Sequence, residues 1–583
     1  MKKNRDKSTR RTFAGIMRYL KPYSFFLAAT ILLALVHVGA TLLIPYLAGV
    51  AINKMIGAGN ILWEELYRIF YAIALCIGAA VLSQWLMSLC NNRIAYHVLS
   101  DVRGDAFEKI EKLPLKYIDD RAYGEIASVV ISDAEQFTDG LLLGFTQLFT
   151  GMVTILGVLV ILFLMRWEVA LVVLLITPLS LFAARFIANH TYSMFKKQSE
   201  VRAEQTAFID EMIGNLKTVK SYTHEDENEE QFKEINSRYE KCSLKAIFFS
   251  SMTNPVTRFV NSVVYAATAL TGSLIVLSSG GFLVGNLASC LSYANQYTKP
   301  FNEISEVFAE FQNALACAAR LFALIHEESE PSDDGKEALG RAEGKVALDR
   351  VEFSYDPERP LIEGLNLDVT AGKKIAIVGP TGCGKTTIIN LLMRFYDVKG
   401  GSISLDGRDI REITRKSLRQ NYGMVLQETW LKKGTVRENL LLGRPSATEE
   451  EMINAAKLAH AHSFIKRLPE GYDTVIGGDG VLSEGQKQLL CIARIMLCEP
   501  PVVILDEATS NIDTRTEIKV QRAFDELMRG RTCFVVAHRL STIENADTIL
   551  VMNAGHIVEQ GTHTELLEKG GFYSKLYQAQ FAG

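Results

Sequence analysis

The chain has 583 residues, 48% of them hydrophobic, and a formal net charge of −4. That length excludes a single small domain, and the near-neutral balance argues neither for nor against a nucleic-acid partner; no nucleic acid is expected. Nine cysteines are scattered without a close CxxC pair, a pattern of reduced thiols rather than of a disulfide framework or metal site.

The chain opens on a basic stretch, with Lys2, Lys3, Arg5, Lys7, Arg10, Arg11, Arg18 and Lys21. Basic flanks stay on the cytoplasmic side of a membrane, and no signal peptide with a cleavage site is apparent. No Asp, Glu, Lys or Arg lies between Lys21 and Lys54, between Arg68 and Arg93, between Asp139 and Arg166, or between Arg258 and Lys299. About 20 apolar residues cross a bilayer as a helix, and such a segment must be helical because its backbone finds no other partner in lipid. Six spans are predicted, over residues 23–52, 69–91, 140–165, 169–188, 259–277 and 282–298. They return the chain to the cytoplasm. Polar stretches at 116–136 and 194–241 form the inner loops.

Polar groups inside the spans need a reason. They are His37, Gln84, Gln147, Asn254, Arg258, Asn261, Asn295, Gln296 and Tyr297. Either they line a polar passage, for which Tyr293, Asn295, Gln296 and Tyr297 are the best candidates, or they bond between helices. Residues 326–343 are acidic and polar and read as a linker. The expected domains are therefore a membrane domain over 1–325, the linker, and a second domain over 344–583.

The second domain is organised around Gly379-Pro380-Thr381-Gly382-Cys383-Gly384-Lys385-Thr386-Thr387. An apolar strand precedes it and a helix follows, the context of a phosphate-binding loop. The glycines let backbone N–H groups converge on phosphate oxygens, and the helix N-terminus adds donors and a dipole. Lys385 supplies charge for the β- and γ-phosphates, and Thr386 a hydroxyl for Mg²⁺. Upstream, Tyr355 ends a strand, where it either packs or stacks on adenine. The apolar strand over 501–505 ends in Asp506-Glu507. Asp506 suits Mg²⁺, and Glu507 suits a general base for water. His538 follows another strand and can sense the γ-phosphate. ATP and Mg²⁺ are the implied cofactors.

With these motifs in order, the second half resembles the nucleotide-binding domain of an ATP-binding cassette (ABC) transporter. Leu482-Ser483-Glu484-Gly485-Gln486 is similar to the LSGGQ signature, Gln427 to the Q-loop glutamine, and Ser510-Asn511-Ile512-Asp513 to the D-loop. The resemblance places Gln427 on nucleotide and metal, and Ser483, Gly485, Gln486 and Asp513 at the nucleotide seam. It implies an all-α six-helix membrane domain of the exporter type followed by an α/β P-loop NTPase domain. Two such half-transporters would dimerise, each phosphate loop facing the other chain's signature. Coupling helices would fall near 122–131 and 210–222 and convert cassette closure into movement of the spans.

Two departures stand out. Glu484 replaces the family's usual glycine, and residues 477–481 run one residue short. With Glu507 and His538 intact, the chain is similar to the half of heterodimeric exporters that keeps its Walker B glutamate but has an altered signature. A heterodimer is expected, with a homodimer as the alternative. The implied activity is ATP-driven export of small amphipathic compounds, drugs or lipids, across the cytoplasmic membrane. The N-terminus and cassette are expected inside. Uptake on the same scaffold, or an ATP-gated or regulatory role, remain the alternatives.

Overall fold

The computed structural model of the protein describes residues 12–55, 63–278, 281–426, 429–477, 482–506, 513–536 and 543–581. It divides into two compact units. One holds Met1–Lys112 and Arg121–Glu327, and the other holds Leu113–Asp120 and Glu328–Gly583.

The first unit is helical. A short helix α1 (12–20) leads into α2 (Ser24–Met55) and α3 (Trp63–Glu111). The five-residue α4 (Leu115–Asp119) belongs to the other unit. Then come α5 (Tyr123–Ser128), a π-helical turn (Val129–Asp133), α6 (Ala134–Met165), α7 (Trp167–Gly214), α8 (Leu216–Ser221), α9 (Glu225–Ser251), α10 (Thr253–Ser278) and α11 (Val284–Ile325). The six predicted spans fall in α2, α3, α6, α7, α10 and α11. Among the described residues, four helical runs are long and apolar enough to cross a membrane: Thr12–Met55, Trp63–Glu111, Tyr123–Met165 and Glu225–Ser278. The described apolar run of α7 is Trp167–Leu179.

The helices overrun a bilayer. The 49 residues of α3 extend about 74 Å at about 1.5 Å per residue, against a hydrocarbon core of about 30 Å. Their polar ends are stitched by side chains. Gln198 donates to Ser243 at 2.9 Å, and Arg238 reaches both oxygens of Glu204. The buried Asp133 takes two hydrogen bonds of 2.7 Å from Arg320.

α2 and α11 approach closely. Pro45 interrupts the ladder of α2, and α11 supplies donors beside it. Ser289 Oγ donates to the Pro45 carbonyl at 2.8 Å, and the Tyr293 hydroxyl donates to the Leu42 carbonyl at 2.6 Å. Asn53 Oδ1 accepts from the Gly285 N–H at 2.8 Å, and its amide donates to Asn286. Two glycines permit this approach. A Cβ at Gly49 would lie 2.0 Å from Ser289 Oγ, and one at Gly285 would lie 2.0 Å from the Gly49 carbonyl oxygen. Tyr293, expected among the passage residues, is thus a buried interhelical bond. Asn261 Oδ1 and Gln296 Oε1 are buried with no partner among the described residues.

In the second unit, β1 (Val346–Phe353) pairs antiparallel with β2 (Ile362–Val369) and with β4 (Gly400–Leu405), which pairs with β5 (Arg408–Asp409). A six-stranded sheet has the order β12-β11-β3-β10-β9-β6. Its strands are β3 (Lys374–Val378), β6 (Tyr422–Val425), β9 (Val502–Asp506), β10 (Thr532–Val536), β11 (Thr548–Asn553) and β12 (His556–Gly561). All are parallel except β12. Alternation divides them between two cores. Ala376, Val378, Val503, Leu505, Cys533 and Val535 face one core. Ile375, Ile377, Val502, Ile504, Phe534 and Val536 face the other. Burial on both faces explains the unbroken apolar runs.

The acidic stretch read as a linker docks on this second unit from Glu328 onward. Asp333 accepts from the Arg415 backbone N–H at 2.6 Å and from its guanidinium at 2.9 Å. The segment at 122–131 stays with the membrane unit, while Leu115–Asp119 joins the cassette. Pro114, extended at ψ 145°, ends one helix and caps the next. Five residues are too few to show a helical period.

Overpacking a helix contact costs about 1–3 kcal/mol. Gly49→Val is expected to lower the melting temperature of the detergent-solubilised protein. Gly39→Ala, whose Cβ meets nothing within 4 Å, is expected to leave it unchanged.

Candidate active site

Ligands to open α/β sheets bind beyond the carboxyl ends of parallel strands. Here the register sets four such ends side by side. Val536 pairs with Ile377 on one flank and with Asp506 on the other, and Val425 pairs with Leu505. The phosphate loop leaves β3, Asp506 closes β9, and the segments bearing Gln427 and His538 follow β6 and β10. Gln427, Glu507 and His538 lie outside the described residues, as do Ser510, Asn511 and Ile512.

The loop is shaped by its glycines. Gly379, Gly382 and Gly384 all have positive φ, at 156°, 82° and 101°. At Gly379 space is decisive as well, since a Cβ would lie 2.3 Å from the Met552 carbonyl oxygen and 2.8 Å from Cys383 Sγ. Cys383 is buried beneath the loop, and its carbonyl accepts from the Gly555 N–H at 3.1 Å. Gly384 caps helix α12 (Lys385–Leu392) and, lacking a side chain, makes no side-chain cap to its first N–H groups. Those donors suit phosphate oxygens. Lys385 Nζ donates to the carbonyls of Gly379 and Pro380 at 2.8 and 3.0 Å. Thr381 and Thr386 are exposed, and Thr387 is buried. The residues fit a nucleotide and its metal: Gly384 opens α12 with no side-chain cap, and Thr386 and Asp506 supply hard oxygen donors.

Tyr355 is half-exposed beside α12. Its hydroxyl accepts from Asn390 at 3.2 Å, and its ring meets Phe353 and Tyr396 edge-to-face, with centroids 4.9 and 5.0 Å away. Tyr396 was not singled out in the sequence; its position just past the phosphate-loop helix is the only hint.

The signature segment starts helix α17 (Glu484–Cys498). Ser483 caps it and pairs reciprocally with Gln486: Ser483 Oγ accepts from the Gln486 N–H, and Gln486 Oε1 accepts from the Ser483 N–H at 2.9 Å. The S-x-x-Q spacing of a capping box carries this arrangement in the sequence. Gly485 is buried. Glu484 stands at the first helical position, where a carboxylate favours the dipole. Thr429 donates to it at 3.0 Å and Lys487 at 2.7 Å. Those two bonds, Lys487 foremost, hold its carboxyl below the usual carboxylate range. The helix end is therefore regular, not displaced as a lone carboxylate would suggest. Residues 478–481 of the shortened stretch lie outside the described residues. Asp513 caps helix α18 (Thr514–Met528), accepting from the Thr516 N–H at 2.8 Å.

Residues 27–301 match the family model described as ABC transporter transmembrane region, and residues 362–510 match that described as ABC transporter. A Bacillus subtilis protein named an uncharacterized ABC transporter ATP-binding protein is 36% identical across 100% of this chain and 96% of its own length. The chain belongs to the ABC transporter family. A Mycobacterium bovis fatty acid ABC transporter ATP-binding/permease protein is 39% identical over 87% of this chain and 80% of its own. The solved structure of a bacterial Atm1-family ABC exporter with ATP bound superposes with a TM-score of 0.78. It is 30% identical and covers 97% of this chain and 99% of that one. This ABC transporter is thus an ATP-hydrolysing, membrane-embedded half-transporter of the exporter type, with a helical membrane domain followed by its nucleotide-binding domain.

Because backbone rather than a yielding side chain opposes a Cβ at Gly379, Gly379→Ala is expected to weaken ATP binding at least about tenfold, about 1.4 kcal/mol. Equilibrium titration of the full-length protein in nanodiscs checks this.

Proposed function

We propose that this ABC transporter is one half of a heterodimeric exporter of small amphipathic molecules in the cytoplasmic membrane, with its N-terminus and cassette inside. The observation that carries the pairing is Glu484. Its carboxylate occupies the positive end of α17, the place a facing γ-phosphate would need. Thr429 and Lys487 hold it there, so this chain's signature is a poor lid for the partner's nucleotide. The phosphate loop, Asp506 and Glu507 form the other half of a site, which a partner's intact signature would complete.

In that site the α12 amides and Lys385 bind the phosphates, and Tyr355 presents a ring face to adenine. Thr386, Asp506 and Gln427 would hold Mg²⁺, which neutralises phosphate charge when bound. Glu507 takes a proton from the attacking water, and His538 orients the γ-phosphate. Asp513 and the Ser483–Gln486 cap shape the seam between the chains. Closure and parting of the two cassettes would drive the spans between inward and outward access. A relative named for fatty acids and the largely apolar spans favour an acylated or otherwise amphipathic cargo. Asn261 and Gln296 are the candidates to meet its polar end.

The protein purified alone is expected to hydrolyse ATP slowly. Glu484→Gly is expected to raise that rate at least about tenfold, since one aligned donor at a developing charge is worth about 10²–10³ in rate. Brisk hydrolysis by the unmodified chain with no gain on substitution would make it a self-sufficient homodimer.

A further inference from the structure

The two ends of the α2–α3 pair treat their charges differently. At one end Lys54 is bridged to Glu65 at 2.7 Å, and Glu64 lies one turn before Arg68. At the other end the charge-free runs of the two helices stop at Lys21 and Arg93. Both side chains are exposed, and neither has a hydrogen bond or an acidic partner among the described residues.

What holds Arg93 is an aromatic surface. Its guanidinium lies over the Phe26 ring, 5.8 Å from the centroid, within reach of a cation–π attraction. One turn on, His97 stacks on Tyr23 with centroids 5.6 Å apart. Arg93, Tyr96 and His97 share one helix face by their i, i+3, i+4 spacing, and Tyr96 is 71% exposed. A guanidinium supported on its face keeps its N–H edge for a planar oxyanion, which it can grip with two bonds. In the other direction Leu89, Leu86 and Leu82 continue the Arg93 face as exposed apolar side chains. At about 1.5 Å per residue that stripe runs about 16 Å, close to one leaflet of a hydrocarbon core about 30 Å thick. The first acids along α3 are set apart. Asp101 accepts from the Tyr23 hydroxyl at 2.8 Å and Asp105 from the Tyr19 hydroxyl at 2.5 Å. Asp101 lies about 12 Å along the helix from Arg93, beyond the screening length of about 8 Å.

We propose that this end of the α2–α3 pair is a binding site for an anionic phospholipid. Arg93 grips the phosphodiester, Lys21 adds a second charge, and an acyl chain follows the Leu89–Leu82 stripe. A lipid rather than a soluble anion is the occupant, because the cations terminate apolar helix faces at headgroup depth, where Tyr side chains such as Tyr96 also settle. The proposal needs only that α2 and α3 cross the bilayer, in either orientation, and is independent of the cargo and of the pairing with a second chain.

Native mass spectrometry of the detergent-solubilised full-length protein tests this, with phosphatidylglycerol and phosphatidylcholine of the same acyl chains as probes. Phosphatidylglycerol is expected to bind at least about fivefold tighter, the worth of one basic residue beside an anionic lipid. Arg93→Gln should remove that preference, and Lys54→Gln at the opposite end should leave it unchanged. Arg93→Lys keeps the charge and should stay within about twofold of the unmodified chain. Equal binding of the two lipids by the unmodified protein would overturn the proposal, as would a preference that survives in the Lys21→Gln, Arg93→Gln double variant. A preference lost equally in Arg93→Lys would make the effect one of packing on Phe26 and would also overturn it. Displacement of the lipid by inorganic phosphate would make this a small-anion site and contradict the lipid assignment.

Discussion

The parallel pairing of β3, β10, β9 and β6 is what the nucleotide site depends on. It sets the ends of four strands at one edge of the sheet, so that residues far apart in sequence become neighbours. Ile377, Val536 and Asp506 lie across from one another, and Leu505 and Val425 extend the row. The pairing is held by burial on both faces. Odd and even positions of each strand enter different cores, and a slip of one residue would exchange them all. Polar groups can therefore concentrate where the strands stop, since the strands need none for their own stability.

The close approach at Gly379 transmits that register to the phosphate loop. Met552, at the end of the adjacent β11, presents its carbonyl where a side chain would otherwise stand. The membrane unit uses the same device at a different place. Gly49 and Gly285 let α2 and α11 touch at backbone distance, and Ser289, Tyr293 and Asn53 bond the exposed polar groups across the gap. In lipid there is no water to take those bonds, so the pairing is rigid. The long helices beyond it are held by side-chain contacts such as Arg320 with Asp133. In that pair the guanidinium is exposed and the carboxylate buried, and two charge-assisted hydrogen bonds join them.

Much of this was legible in the sequence because the signals are local. Charge-free runs give spans, and the strand, glycines, Lys385 and Thr386 give a phosphate loop within a few residues. What escaped depends on contacts between distant residues. Nothing in Leu115–Asp119 shows that it groups with the second unit, from which Tyr396, 277 positions away, donates to Asp119. Glu484 is held first by Lys487, three residues on, and also by Thr429, 55 positions upstream. Residues 328–343 have a linker's composition, yet Glu330 and Asp333 find Arg415. Tyr293 read as a polar residue of a passage or of an interhelical bond, and its hydroxyl donates to the Leu42 carbonyl of α2, 251 positions away.

The central claim is that ATP is bound and split at this strand-end edge, with Lys385 as its phosphate anchor. The most direct measurement is the affinity of the full-length protein for ATP with Mg²⁺ in nanodiscs, for the unmodified chain and for Lys385→Ala. Saturable binding that weakens by at least about tenfold in the variant is the expected result. Equal affinity in both would place the nucleotide elsewhere and contradict the account.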